Sequence, residues 1–81
     1  MKYIVTSNEE GLEEIFIFPD TVNHNVMAES VEFMKNQHGN WKRIERIPIS
    51  AGFIEGGKCV GRSESLDIAS RPQDSKLLQS L

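Results

Sequence analysis

The chain has 81 residues, 38% of them hydrophobic, and a formal net charge of −3. That length predicts a single domain, residues 1–81, whose small core is marginal unless disulfides, a metal or oligomerisation supplement it. The lone Cys59 excludes an intrachain disulfide, and Cys59, His24 and His38 are too dispersed for a zinc-binding spacing, so a homo-oligomer without metal or cofactor is expected.

The opening KYIVTS is rich in β-branched and aromatic residues and reads as a strand. NEEG is a polar turn ending at Gly11, and LEEIFIFP resumes as a second strand that Pro19 stops. Being apolar on both faces near its end, this second strand is expected at the centre of the sheet. DTVNHNVMAESVEFMKNQHGN predicts one long helix. Met27, Val31 and Met34 recur at helical spacing, with Val26 and Phe33 beside them. Thr21, Asn23 and Asn25 are candidate N-caps, and Gly39 suits a left-handed residue beyond the C-terminus. Lys35 and His38 then fall in the last turn, where positive charge suits the helix dipole.

NWKRIERIPISAGFIEGG reads as extended, with Ile47, Ile49, Ala51 and Phe53 alternating and Pro48 marking an edge, bulge or break. The chain turns at EGG and returns as KCVGRSESL, completing a second hairpin. On that return strand Cys59, Gly61, Ser63 and Ser65 share a face. SRPQDSKLLQSL predicts a short terminal helix, with Ser70 and Gln73 as a capping box and Leu77, Leu78 and Leu81 as its apolar side. The whole predicts an α+β fold: a small antiparallel β-sheet of two hairpins, one long helix packed on one face, and a short C-terminal helix.

No apolar run is long enough to cross a membrane, and the first residues lack the apolar region of a secretory signal. With a single free thiol, these features predict a cytoplasmic protein. Charge is unevenly distributed: residues 1–33 sum to −6, residues 34–62 to +4 and the remainder to −1. Such asymmetry makes two copies electrostatically complementary, although asymmetry of this size usually reflects two solvated faces.

The phrases PISAGFIEGGKCVGRSESL and SRPQDSKLL resemble those of small accessory proteins encoded by tailed phages and prophages of enteric bacteria. The resemblance covers Pro48 to Leu81, and no catalytic motif is attached to that group. It implies a binder or inhibitor of host factors, including capture of nucleotide signals of host defence, in the cytoplasm of the infected cell.

Four constellations carry chemistry. Arg62 offers a planar fork of donors suited to phosphate, Ser63 and Ser65 add hydroxyls, and Gly56, Gly57 and Gly61 allow close backbone approach. With Arg46 and Arg43 on the facing strand, these form the expected anion-binding set, although a solvated hairpin with Arg62 paired to Glu64 or Glu45 uses the same residues. Cys59, Ser63 or Ser65 with a histidine would make a nucleophile and base, but no spacing brings them together, so a non-enzymatic protein is expected. Trp41 beside Lys42 and Arg43 could stack a base, yet the acidic chain argues against a nucleic-acid partner. Glu9, Glu10, Glu13 and Glu14 crowd the first hairpin and offer carboxylates to a basic host protein. The leading expectation is a phage anti-defence protein that sequesters a small anionic, nucleotide-like signal. The alternative is an inhibitor that binds a host protein through its acidic hairpin.

Overall fold

A computed structural model describes residues 1–81. The elements in order are β1 (Lys2–Ser7), β2 (Glu13–Phe18), α1 (His24–Ser30), β3 (Phe33–Lys35), β4 (Trp41–Arg43), β5 (Ile47–Glu55), β6 (Lys58–Val60), β7 (Arg62–Ser63), β8 (Ile68–Ala69) and α2 (Asp74–Gln79). The main sheet is antiparallel, in the order β2-β1-β5-β6, and β3-β4 and β7-β8 form separate two-stranded ribbons.

This mostly β architecture corrects the α+β expectation, because the long helix does not form. Helix α1 ends at Ser30, and the sequence predicted to continue it turns into β3. The competing signal lies at the tip of the β3-β4 ribbon. Asn36 Oδ1 accepts hydrogen bonds from the amides of His38 and Asn40, and Gly39 takes φ +80°. An asparagine that captures its own downstream amides favours a turn over a helix. Gly39 is left-handed as expected, but it closes a ribbon tip instead of a helix.

Three further corrections follow from the topology. The edge position belongs to β2, and the central strands are β1 and β5. Both faces of β2 are apolar because both faces of the sheet are covered. Segment 40–55 is two strands, since β4 turns away to pair with β3 before β5 begins. Pro48 is tolerated within the central β5 because it stands opposite Thr6, just past a register shift between Val5 and Thr6. The expected return strand also breaks: Gly61, at φ +77°, separates β6 from β7.

Side-chain alternation along β1 sets the two layers. Ile4 and Ala51 join Phe18, Ala28 and Val31 beneath α1, with Phe16, Leu66 and Ile68 packed around them. Tyr3, Val5 and Cys59 face the opposite way, against Ile15, Ile54, Leu77 and Leu78. Helix α2 therefore seats both of its leucines on the sheet, and Leu81, beyond its end, is exposed. Gln73 is the N-cap of α2 and makes no side-chain cap bond, so the expected Ser70–Gln73 capping box is absent. What anchors the helix is Asp74. No helix is long and apolar enough to cross a membrane.

Candidate functional site

Four of the five residues expected to bind an anion fall into two separate groups, and Ser63 lines neither. Arg62 and Ser65 lie beside Lys2, at the start of β1. Arg43 and Arg46 line a different cleft beyond its other end, beside Asn8. A strand from residue 2 to residue 7 spans about 17 Å at roughly 3.4 Å per residue, too far for one small ligand to engage both groups.

Each of the five also has an internal partner. Arg46 is the most committed, with a side chain 11% exposed. Its Nε and Nη2 donate to the two carboxylate oxygens of Glu14 at 3.1 and 3.2 Å, and its Nη1 donates to the Val31 carbonyl at 2.6 Å. The guanidinium carbon also stands 5.1 Å from the centre of the Phe16 ring. Arg46 thus clamps β2 to the C-terminal end of α1. Arg43 is exposed and donates to Glu32 at 3.2 Å. Ser63 is 1% exposed, and its Oγ accepts the Leu66 amide at 3.1 Å, closing the β7-β8 turn. The Ser63 and Ser65 hydroxyls stand 3.4 Å apart, but Ser63 is interior and only Ser65 is exposed to a ligand.

The Lys2 end carries a surface depression of about 350 Å³, lined by Lys2, Asn23, His24, Phe53, Arg62, Glu64 and Ser65. Its floor is aromatic. The buried His24 meets Phe18 and Phe53 edge-on, with ring centres 5.4 and 5.6 Å away, and its Nε2 donates to the Gly52 carbonyl at 2.9 Å. Phe53 lies against the backbone of Gly61, where a Cβ would stand 3.2 Å from its ring. The break in the return strand therefore makes room for the ring. Lys2 Nζ donates to the Val22 carbonyl at 3.1 Å, and Arg62 is bonded to the exposed Asp67 across the ribbon turn. An ammonium and a guanidinium beside an aromatic floor can hold an anionic group next to a flat ring. Glu64 at the rim opposes a second negative charge.

The other cleft, about 450 Å³, lies between the acidic β1-β2 turn and the base of the β3-β4 ribbon. Glu9 and Glu10 line it together with Lys42, Arg43 and Arg46. Mixed charge on facing walls makes it a poor receptacle for a free anion. The four glutamates of the first hairpin divide as well: Glu13 and Glu14 pair with Arg71 and Arg46, whereas Glu9 and Glu10 form no ion pair.

The strongest polar network is interior. Tyr3 Oη donates to Asp74 Oδ2 at 2.6 Å. The Arg71 amide and Nε donate to the same carboxylate, each at 2.9 Å, and Arg71 Nη2 continues to Glu13 at 2.8 Å. Burial pushes the Tyr3 hydroxyl far up, and the Asp74 carboxylate adds to that effect. Tyr3 and Asp74 are both fully buried, so this network fastens α2 and presents nothing to a substrate. Cys59 is buried on the same side, and burial also raises its thiol pKa, which disfavours the nucleophilic thiolate. It lies in the layer under α2, whereas His24 opens α1 on the other face of the sheet, so the two form no dyad. No cluster of His, Cys, Asp and Glu has the geometry to hold a metal.

Lys2, Asn23 and Phe53 are not among the residues expected from the sequence to bind a ligand. Lys2 is the one basic residue of the first third, but nothing local tells that β1 delivers it to Phe53, its cross-strand partner. Comparison with protein-family models, curated proteins and solved structures finds no match.

Proposed function

We propose that this chain is a non-enzymatic binding protein for a small anionic, nucleotide-like molecule, held in the depression beside Lys2. The observation that carries this reading is the convergence of Lys2, Arg62 and Ser65 around the Phe53 ring. The volume falls within the roughly 300–1,000 Å³ typical of small-ligand clefts. Lys2 and Arg62 supply charge for a phosphate, Ser65 and Asn23 supply hydrogen bonds, and Phe53 supplies a surface for a base. Ser65 lies at the depression with His24, but the His24 Nε2 is already bonded to the Gly52 carbonyl and no hydrogen bond joins the two side chains, which supports binding over catalysis.

The resemblance to phage accessory proteins supplies the biological reading, sequestration of a nucleotide signal of host defence. A ligand that binds only the folded state raises its stability. Purified protein exposed to lysate of infected, defence-competent cells, then denatured, should release a nucleotide detectable by mass spectrometry. The same compound should raise the melting temperature. Release of no small molecule, together with no thermal shift across mono-, di- and cyclic nucleotides, would remove the proposal. Co-purification of a host protein dependent on Glu9 and Glu10, the unpaired carboxylates of the first turn, would support the acidic-hairpin inhibitor instead.

A further inference from the structure

The β3-β4 ribbon is the part of the molecule that neither the sheet nor the depression explains. All of its strand residues, Phe33–Lys35 and Trp41–Arg43, are exposed, and Trp41 is 66% exposed. A hydrogen bond of 2.6 Å from the Ile44 amide to the Glu32 carbonyl closes its base. Large apolar side chains left in water on a small domain call for a partner.

The pairing register shows what the ribbon presents. Phe33 stands opposite Arg43, Met34 opposite Lys42, and Lys35 opposite Trp41. Directly opposed residues share a face, and neighbours along a strand alternate. Phe33, Arg43, Lys35 and Trp41 therefore make one face, with an aromatic facing a cation in each directly opposed pair. Lys35 Nζ already sits 5.5 Å from the centre of the Trp41 ring. Met34 and Lys42 make the other face, which borders the cleft shared with Glu9 and Glu10, whereas Phe33, Lys35 and Trp41 do not line that cleft.

We propose that the aromatic face of this ribbon binds single-stranded nucleic acid. Three alternatives fit the side chains less well. Pairing the ribbon with its copy about a two-fold axis sets a patch against itself. Lys35 and Arg43 of both copies would then meet, Lys35 with no carboxylate on its own ribbon to offset it and Arg43 already paired to Glu32. An acidic protein surface would satisfy the cations but leave Trp41 and Phe33 without flat partners. A duplex hides its base faces, whereas a single strand offers both phosphates and rings, the two chemistries that alternate here. The chain's net charge of −3 is the wrong quantity for this question, because Phe33, Lys35 and Trp41 stand outside the cleft that Glu9 and Glu10 line, and Arg43 alone of this face reaches it.

Trp41 is the chain's sole tryptophan, so its fluorescence reports this face alone. The probes are oligodeoxythymidine and oligouridine of about 12 nucleotides, within the usual span of a single-strand site, and a duplex of equal length. The expected result is quenching of Trp41 by both single strands and weaker binding of the duplex. Neutralising two or three phosphates should give a log–log salt slope of about −1.4 to −2. With a labelled oligonucleotide and anisotropy as readout, Trp41→Ala should weaken binding by about 5- to 150-fold, the range for losing one stacked base. Lys35→Gln should make the slope shallower by about 0.7. Both positions are exposed, so unchanged circular dichroism and melting temperature should accompany both substitutions. Equal affinity for the duplex, full affinity in Trp41→Ala, or no binding at low salt would overturn the proposal. So would self-association that buries Trp41 and is lost in Trp41→Ala, which assigns the ribbon to a second copy.

Discussion

Tyr3 and Asp74, 71 positions apart, share a 2.6 Å hydrogen bond in the interior, joining the first strand to the last helix. Asp74 is a fully buried carboxylate, and it persists there because Tyr3, the Arg71 amide and the Arg71 guanidinium all donate to it. Tyr3→Phe keeps the ring and its packing but removes one donor from a buried anion. The expected cost is about 1.5–3 kcal/mol, the range for a hydrogen bond to a charged group. A domain of this size should then melt several degrees lower, which differential scanning calorimetry reads directly. An unchanged melting temperature would mean that α2 is held by Leu77 and Leu78 alone.

Acid should loosen the same end of the molecule. For Asp74, burial raises the carboxyl pKa, but the hydrogen bonds from Tyr3 and Arg71 together outweigh it and leave the group below its ordinary value. The Arg71 hydrogen bond likewise holds Glu13 down, against the opposing effect of burial. A carboxylate whose folded pKa is depressed binds fewer protons folded than unfolded, so its contribution is complete above its unfolded pKa of roughly 4. That contribution is lost as pH falls through the folded value. Melting temperature should therefore drop steeply below about pH 4. Asp74→Asn should melt lower at neutral pH and show a flatter acid limb. Parallel acid limbs in the two proteins would exclude Asp74 as the group responsible.

Gly52 is the position where the sheet tolerates no side chain. A Cβ there would stand 2.3 Å from the Val60 carbonyl oxygen, which is backbone and cannot rotate aside. Gly52→Ala should destabilise by about 1–3 kcal/mol or more through forced backbone shifts. The Gly52 carbonyl also receives the His24 hydrogen bond, so the same shift should disturb the aromatic floor of the depression. Urea denaturation should show a lower midpoint with little change in slope. A wild-type midpoint would show that β6 can move away without cost.

These contacts mark where reading the sequence succeeds and fails. KYIVTS and LEEIFIF declare their strands locally, through β-branched and aromatic residues around a polar turn, and they pair as adjacent strands. Residues 21–39 mislead because Met27, Val31 and Met34 recur at helical spacing by coincidence of two elements. Val31 packs beneath α1, whereas Met34 is exposed on the ribbon. The Asn36–Gly39 turn was the local signal that outweighed the periodicity. At the candidate site, Arg62 and Ser65 were legible because both lie in one short polar stretch. Lys2 and Phe53 were not, since only the β1-β5 register brings them together. Arg46 looked like a ligand residue because its partners, Glu14 and Val31, are remote in sequence.

Arg46 and Arg62 should respond oppositely to removal, and Arg46 comes first. Its guanidinium satisfies Glu14 and the Val31 carbonyl from a largely buried position. Arg46→Ala should cost about 1–3 kcal/mol, below the value for a fully buried pair because Glu14 is partly exposed to solvent. Arg46→Lys should recover little, since an ammonium cannot make the two-pronged contact with Glu14. Thermal melts of both variants check this, and a stable Arg46→Ala would reassign the residue to the surface.

Arg62 has the contrary profile. It is exposed, and so is its partner Asp67, so the pair contributes little to folding. Arg62→Ala should leave the melting temperature nearly unchanged, within about 0.5 kcal/mol of wild type. If the depression beside Lys2 holds an anion, the same substitution should weaken binding by about 1.5–3 kcal/mol, and Lys2→Ala should do likewise. Arg62→Lys should restore part of the loss, because charge returns without the planar fork. Asp67→Asn frees the guanidinium from its competing carboxylate and should strengthen binding, an effect that a purely structural role for Arg62 does not produce. Isothermal titration of these variants with the nucleotide released from the wild-type protein gives the comparison. Unchanged affinity in both Arg62→Ala and Lys2→Ala would show that the ligand sits elsewhere.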